Sequence, residues 1–256
     1  MTHTLTLTAL PNIPLIQPGD DLCAIILKSL ADAGLQLQTD DVLVLAQKIV
    51  SKAEGRLVRL ADVTPSARAL ELAPQLQKDP RHVEVILRES KEIVRMRPGV
   101  MVVEHRLGYV CANAGVDRSN VAPHVPEDDT LLMLPVDPDR SCIELRDKLF
   151  EATGARVGVI VNDSHGRAWR TGTVGVALGA AGVPALLDLR GTPDLFEYPL
   201  QVTQVGLADE LAAAASLLMG QAAEGRPVIH IRGIPYPLRD GNAQELIRAK
   251  EMDLFR

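Results

Sequence analysis

The sequence predicts an α+β fold, and three observations support it. Strand-like and helix-like stretches follow one another without the regular βα alternation of a doubly wound parallel sheet. A helix-rich, glycine-rich middle lies between two strand-bearing ends, which suggests two domains. Hydrophobic residues make up 46% of the 256 residues and charged residues 23%, enough for a sizeable core in a globular protein.

Along the chain, Thr4 to Leu10 alternates polar and apolar residues, as a strand exposed on one face does, and Pro11 and Pro14 end it. Asp20 and Asp21 can cap a helix from about Leu22 to Ala33, stopped by Gly34. Asp41 to Val50 reads as one buried strand, rich in β-branched residues, that turns polar at Ser51. Thr64-Pro65-Ser66 opens a helix, Pro74 and Pro80 interrupt the next stretch, and His82 to Glu92 reads as helix. Val100 to Glu104 and Leu107 to Cys111 form two strands around a tight turn, and Leu131 to Leu134 a short third. Asp139 to Thr153 is an amphipathic helix closed by Gly154, and Val157 to Val161 a strand. Leu207 to Met219 is an Ala/Leu helix, Val228 to Ile231 a strand, and Asn242 to Arg256 a partly helical tail.

Composition excludes several classes of function. A net charge of −6 repels phosphate backbones and anionic membranes, so nucleic acid and membrane are not expected as partners. With 3% aromatics there are few platforms for stacking bases, and the core must be aliphatic. Cys23, Cys111 and Cys142 form no CxxC and fit a reducing compartment. The N-terminus lacks a basic, apolar leader pattern, and no apolar run nears the ~18 residues of a membrane span. A cytoplasmic protein is expected.

Three places share one pattern, an apolar strand running into a polar loop. In Gln47 to Arg56, Lys48, Lys52 and Arg56 recur every four residues and can supply a local positive field for a polyphosphate. A solvated strand end with a surface ion pair to Glu54 is the competing reading. In Asn113 to Asn120, Gly115 permits an unusual turn, while Asp117 and Asn120 can ligate a hard cation or a nucleotide. An Asx-turn capping a helix serves equally well. In Asn162 to Arg167, Asp163 can ligate a metal with the Ser164 hydroxyl beside it, or the segment is a plain tight turn with His165 at the surface. There is no P-loop, strand-following GxGxxG, GxSxG elbow or HExxH. The glycines of Gly172 to Gly182 read as close packing, Cys111 as a core thiol and Trp169 as a packing anchor.

Taken together, the loops resemble a known family. Leu10-Pro11-Asn12-Ile13, SKAEGR at Ser51 to Arg56, CANAGVDRSN at Cys111 to Asn120 and NDSHGRAWRTGTVGVALG at Asn162 to Gly179 are similar to the coenzyme F420:L-glutamate ligases, or F420-0:γ-glutamyl ligases. The likeness continues through Met219-Gly220 to Arg226, Glu245 to Arg248 and Asp253 to Arg256, so it spans essentially the whole chain. It implies a two-domain α+β fold of mixed sheets with flanking helices, in an intertwined homodimer. On this chain the domains would be 1–84 with 200–256, carrying nucleotide segments, and 85–199, carrying metal loops.

The resemblance also implies a ligase that adds L-glutamate to F420-0 through γ-linked amides. It would use GTP, Mg²⁺ or Mn²⁺ and in some members K⁺, and pass through an acyl phosphate. Leu10, Pro11, Asn12 and Ile13 match a first nucleotide segment; Gln47, Lys48 and Lys52 a second, with Lys52 catalytic. Asn120 matches a nucleotide contact. Met219, Gly220, Gln221, Ala222, Ala223, Glu224, Gly225 and Arg226 match the last segment, and Asp117, Asp163 and Ser164 match metal ligands. Gln47 and Lys48 stand where the family varies. Some bacterial members add a reductase-like domain, an activity not expected here. A related amide ligase acting on another acidic cofactor, a non-catalytic nucleotide binder and a metal-dependent phosphohydrolase are the competing functions.

Overall fold

A computed structural model describes residues 3–121 and 129–254. The chain forms β1 (Thr6–Ala9), α1 (Leu22–Asp32), β2 (Val42–Ala46), α2 (Gln47–Ala53), β3 (Leu57–Arg59), α3 (Ala67–Leu76) and α4 (Pro80–Arg88). Then come β4 (Ser90–Arg97), β5 (Val100–His105), β6 (Val110–Ala112), β7 (Thr130–Leu132) and α5 (Pro138–Thr153). The remainder is β8 (Gly158–Arg167), β9 (Arg170–Ala181), β10 (Leu187–Asp188), β11 (Gln204–Val205), α6 (Leu207–Met219) and β12 (Val228–Arg232). The mixture is α+β, as expected.

The central layer is a five-stranded sheet in the order β1-β12-β2-β8-β9. Its pairs are antiparallel except β2 with β8, which run parallel, Ala46 opposite Asn162. Strand β2 is buried on both faces. Leu43 and Leu45 meet Ile26, Leu30, Leu145 and Leu149 from α1 and α5, while Val42 and Val44 meet Leu211, Ala212 and Ala215 from α6. The Asp21 carboxylate caps α1 by accepting from the Cys23 N–H at 3.0 Å, and left-handed Gly154 closes α5. A third core gathers Leu72, Leu76, Val83, Ile86, Met101, Val103 and Leu131 from α3, α4, β5 and β7. Residues on both sides of position 84 share this third core, and residues on both sides of 199 share the α6 core.

Several elements differ from expectation. The strand expected over Asp41 to Val50 ends at Ala46, and Gln47 to Ala53 is helix. Val42 to Leu45 are paired on both sides; beyond them no β12 partner remains, and a helical turn buries Ile49 and Val50 on the core. The loop expected at Asn162 to Arg167 is instead the far half of β8, held by pairing with β9 from Asn162↔Ala177 onward. Trp169, expected as a packing anchor, is 90% exposed in that hairpin's turn at φ +62°. The helix expected over His82 to Glu92 starts at Pro80 and stops at Arg88, and Ser90 onward is strand. Phe255 and Arg256 of the terminal motif lie outside the described residues. No described helix is long and apolar enough to cross a membrane.

The other end of the sheet is pinned by Asp41, whose carboxylate is buried. It accepts from Arg232 Nε and Nη2, both at 2.7 Å, and from the Gln38 N–H at 2.8 Å, and His230 Nε2 lies 2.8 Å away. Burial alone would raise its pKa. The Arg232 and His230 hydrogen bonds outweigh that and hold it below the usual carboxylate range. A carboxyl so lowered stabilises the fold above its unfolded pKa of about 4 and loses that contribution as pH falls through the folded value. Asp41→Asn is expected to cost about 3 kcal/mol at pH 7 and distinctly less at pH 3 by urea unfolding. Equal stability of the two proteins at pH 7 would contradict this reading.

Candidate active site

One end of the central sheet collects the strand ends β1, β2 and β8 together with the start of β12. Antiparallel pairing brings the Leu10 N–H to the Val228 carbonyl at 2.9 Å and the Ala46 N–H to the Pro227 carbonyl at 2.8 Å. The parallel β2–β8 pair then sets Gln47 and Lys48 beside Asn162 and Asp163.

The first turn of α2 reaches over to Asp117. Gln47 Nε2 donates to Asp117 Oδ2 at 2.7 Å, and the Lys48 ammonium bonds the same oxygen. The Ser51 hydroxyl donates to Gln47 Oε1 at 2.8 Å, which turns the amide so that its nitrogen faces the carboxylate. Asp117 itself is fixed by two 2.8 Å backbone hydrogen bonds to Leu132 of β7. Its approach follows the turn at Asn113, Ala114 and Gly115, all left-handed; a Cβ on Gly115 would press 2.8 Å from Leu134.

Asp163, on β8, completes a pair of carboxylates. Burial raises the Asp117 pKa; Lys48 opposes this and the charge of Asp163 adds to it. The same Asp163 charge, after burial, pushes the Cys111 thiol up to about 12, so Cys111 is the inert core thiol expected. His165, expected at the surface, has a side chain only 15% exposed, and its Nε2 lies 3.3 Å from Asp163 Oδ2. Period-two alternation along β8 puts positions 163 and 165 on one face, a signal hidden while the segment reads as a loop.

The Met219 to Arg226 segment is laced to the other loops. Lys52 Nζ donates to the Asn120 carbonyl at 2.8 Å, Asn120 Nδ2 to the Ala222 carbonyl at 2.9 Å, and the Ser164 hydroxyl to Gln221 Oε1 at 2.7 Å. Burial first, then Lys48, lowers the Lys52 pKa, and among the described residues no carboxylate pairs with this ammonium. The Glu224 carboxylate accepts the Ala222 N–H at 2.8 Å and closes the segment on itself. Met219 packs beside Asn162, whose Nδ2 donates to Ser216 at 3.0 Å and whose buried Oδ1 has no partner. A Cβ on Gly175 would strike Ser216 and Asn162, so close packing, as expected, accounts for that glycine.

Two candidates stand apart. Arg56 does not join the positive field: its guanidinium donates to the Leu134 carbonyl at 2.8 Å and to Glu89 at 3.1 Å, and Glu89 also binds Arg106. This arginine ties the turn after α2 to the segment after β7 and to the end of α4. Leu10 to Ile13 lie at the same sheet end, but two strands from β2, about 10 Å by strand spacing. Leu10 is buried, the Pro11 carbonyl takes the Ser29 hydroxyl, left-handed Asn12 donates to Asp32 at 3.1 Å, and Ile13 packs on the core.

Among the described residues no cluster of three His, Cys, Asp or Glu could hold a metal. The two carboxylates nevertheless fit a hard divalent cation, whereas Ser164, next to Asp163 in a strand, faces the other side of β8, where its hydroxyl holds Gln221. The carboxylates are oxygen donors, and their mutual repulsion at a half-buried place is what such an ion relieves.

By class the chain is a ligase. A family model described as F420-0:Gamma-glutamyl ligase matches residues 11–233. The chain is 46% identical to a coenzyme F420:L-glutamate ligase of Methanothermobacter thermautotrophicus, over 98% of this chain and 99% of the relative. It is 47% identical to one of Methanopyrus kandleri, over 99% and 98%, and 41% identical to one of Archaeoglobus fulgidus, over 96% and 94%. The chain belongs to the F420-0:gamma-glutamyl ligase family.

A raised carboxyl pKa means the fold binds the proton more tightly than the unfolded chain, so ionised Asp117 costs stability as pH rises past about 4. At pH 7 without divalent cations, Asp117→Asn is expected to melt within about 1 kcal/mol of the parent, or above it. A larger loss would make Asp117 a structural anchor instead of a site residue.

Proposed function

We propose that this chain is a GTP-dependent ligase that joins L-glutamate to the carboxylate of F420-0 through a γ-linked amide, by way of an acyl phosphate. The observation that carries this is the gathering of Lys52, Asp117, Asp163 and Ser164 at one sheet end, in a chain of this family. A carboxylate is a poor electrophile, so amide formation needs activation. An acceptor oxygen attacks the γ-phosphorus, the bond to the β–γ bridging oxygen breaks, and GDP leaves. The glutamate amine then attacks the acyl carbon, phosphate departs, and the amine gives up its proton.

The first step drives two anions together. Unit charges 4 Å apart repel by about 4 kcal/mol at an effective dielectric near 20. In our reading Lys52 faces the transferring phosphate. Its half-buried ammonium, with no carboxylate beside it among the described residues, gains most where negative charge builds. Asp117 and Asp163 would hold Mg²⁺ or Mn²⁺, which supplies charge neutralisation to the phosphates when bound, while Ser164, on the other face of β8, holds Gln221 of the last nucleotide segment. Gln47 and Lys48 set the Asp117 carboxylate in place. Asn120 and the Met219 to Arg226 segment form the wall toward the nucleotide, and Leu10 to Ile13 bound its far side. K⁺ would be an auxiliary cation.

The test is mass spectrometry of purified protein with F420-0, L-glutamate, GTP and Mn²⁺. A product heavier by one or more glutamate residues, with GDP formed in step, is expected; phosphate release without any acceptor would favour the phosphohydrolase. Lys52→Ala is expected to lower kcat about 10²- to 10³-fold. Saturating Mn²⁺ is expected to raise the parent's melting stability by about 2–3 kcal/mol at a hundredfold excess over Kd, and not that of Asp163→Asn. An equal Mn²⁺ shift in both would remove Asp163 from the site.

The same reading includes a homodimer. Between β10 and β11 the chain exposes Leu195, Phe196, Tyr198 and Val202, at 96%, 80%, 72% and 83%. Apolar residues so concentrated mark an interface. Light scattering should give a dimer, and Leu195→Ser with Phe196→Ser a monomer; an unchanged dimer would place the interface elsewhere.

A further inference from the structure

A groove leads away from the carboxylate pair on the His165 side. It consists of two adjoining cavities of about 450 and 240 Å³, which share Gly108, Ile247 and Arg248 as lining. The smaller reaches His165, whose Nε2 is 3.3 Å from Asp163. The larger is lined by Lys91, Arg106, Arg248 and Lys250 against a single carboxylate, Glu104. In a chain of net charge −6 this concentration of cations stands out. Three of the four have partners: Lys91 lies 3.9 Å from Glu104, Arg106 is 3.0 Å from Glu89 and Lys250 is 2.6 Å from Glu92. Arg248 is exposed at the junction and makes no hydrogen bond or ion pair with any described residue. The smaller cavity carries acidic groups too. Asp209 is occupied by the Ala177 N–H at 2.8 Å, and Asp253 also lines it.

We infer that this groove seats the acid acceptor, its reacting carboxylate toward Asp163 and a second anionic group on Arg248. The inference rests on the proposed ligase function. The chemistry comes from charge. A γ-linked glutamate leaves its own α-carboxylate free, so each addition lengthens an anionic chain that a basic groove can follow. A guanidinium without an internal partner suits a carboxylate or a phosphate, both of which it binds through paired N–H donors. Gly108, at φ +98°, lines both cavities, and Ile247 lies 3.4 Å from where its Cβ would be.

The experiment is steady-state kinetics of Arg248→Glu and Arg248→Lys with two acceptors, F420-0 and its mono-γ-glutamyl product, at saturating GTP. Arg248→Glu is expected to raise KM for an acceptor at least about tenfold, with KM for GTP unchanged and Arg248→Lys largely restoring it. A rise with both acceptors assigns Arg248 to an anion of the acceptor itself. A rise with the glutamylated one alone assigns it to the added α-carboxylate. Parent-like KM for both acceptors in Arg248→Glu, with the parent active, would overturn the groove assignment alone. A parent that glutamylates neither acceptor would overturn the ligase reading, and the groove assignment with it.

Discussion

The site depends on one constraint, the parallel pairing of β2 with β8 inside an otherwise antiparallel sheet. Parallel strands end on the same side. Because Ala46 faces Asn162, the residues that come after each, Gln47 and Lys48 at the start of α2 and Asp163 and Ser164 in β8, come to the same end of the sheet. The antiparallel neighbour β12 starts at that same end and delivers the Met219 to Arg226 segment to it. Asp117 arrives from a different layer, fixed by its backbone on β7, and meets the α2 side chains from above the sheet end.

That meeting is electrostatically unfavourable and is only partly compensated. Asp117 is half-buried near Asp163, and Lys48 answers one carboxylate of the two. Lys52, beside Lys48, pairs with no carboxylate among the described residues. Paired carboxylates short of positive charge and an ammonium short of negative charge, a few residues apart, match what a metal–nucleotide complex brings. Such mismatches gather at functional sites.

Much of this was legible in the sequence, in the wording of the loops more than in their periodicity. The α+β class, the caps at Asp21 and Gly154, the α6 helix and β12 all come from local chemistry. Lys52, Asp117, Asp163 and Ser164 could each be nominated because a polar residue follows an apolar run. Their convergence could not, since it comes from strand order. Local reading failed where pairing overrides polarity: Asn162 to Arg167 look like a loop and are strand because β9 lies alongside. His165 was missed for that reason. Arg56 misled in the opposite way, because its spacing with Lys48 and Lys52 is helical but its partners, Leu134 and Glu89, lie far along the chain.

The central claim is that Asp117 and Asp163 together hold the divalent cation that Lys48 partly stands in for. A crystal of the protein grown with GDP and Mn²⁺ tests it through the anomalous scattering of manganese. The account predicts one peak within ligand distance of both carboxylates, about 2.0–2.3 Å, with the Lys48 ammonium displaced from Asp117. A manganese peak away from both carboxylates, with Lys48 still on Asp117, would contradict it.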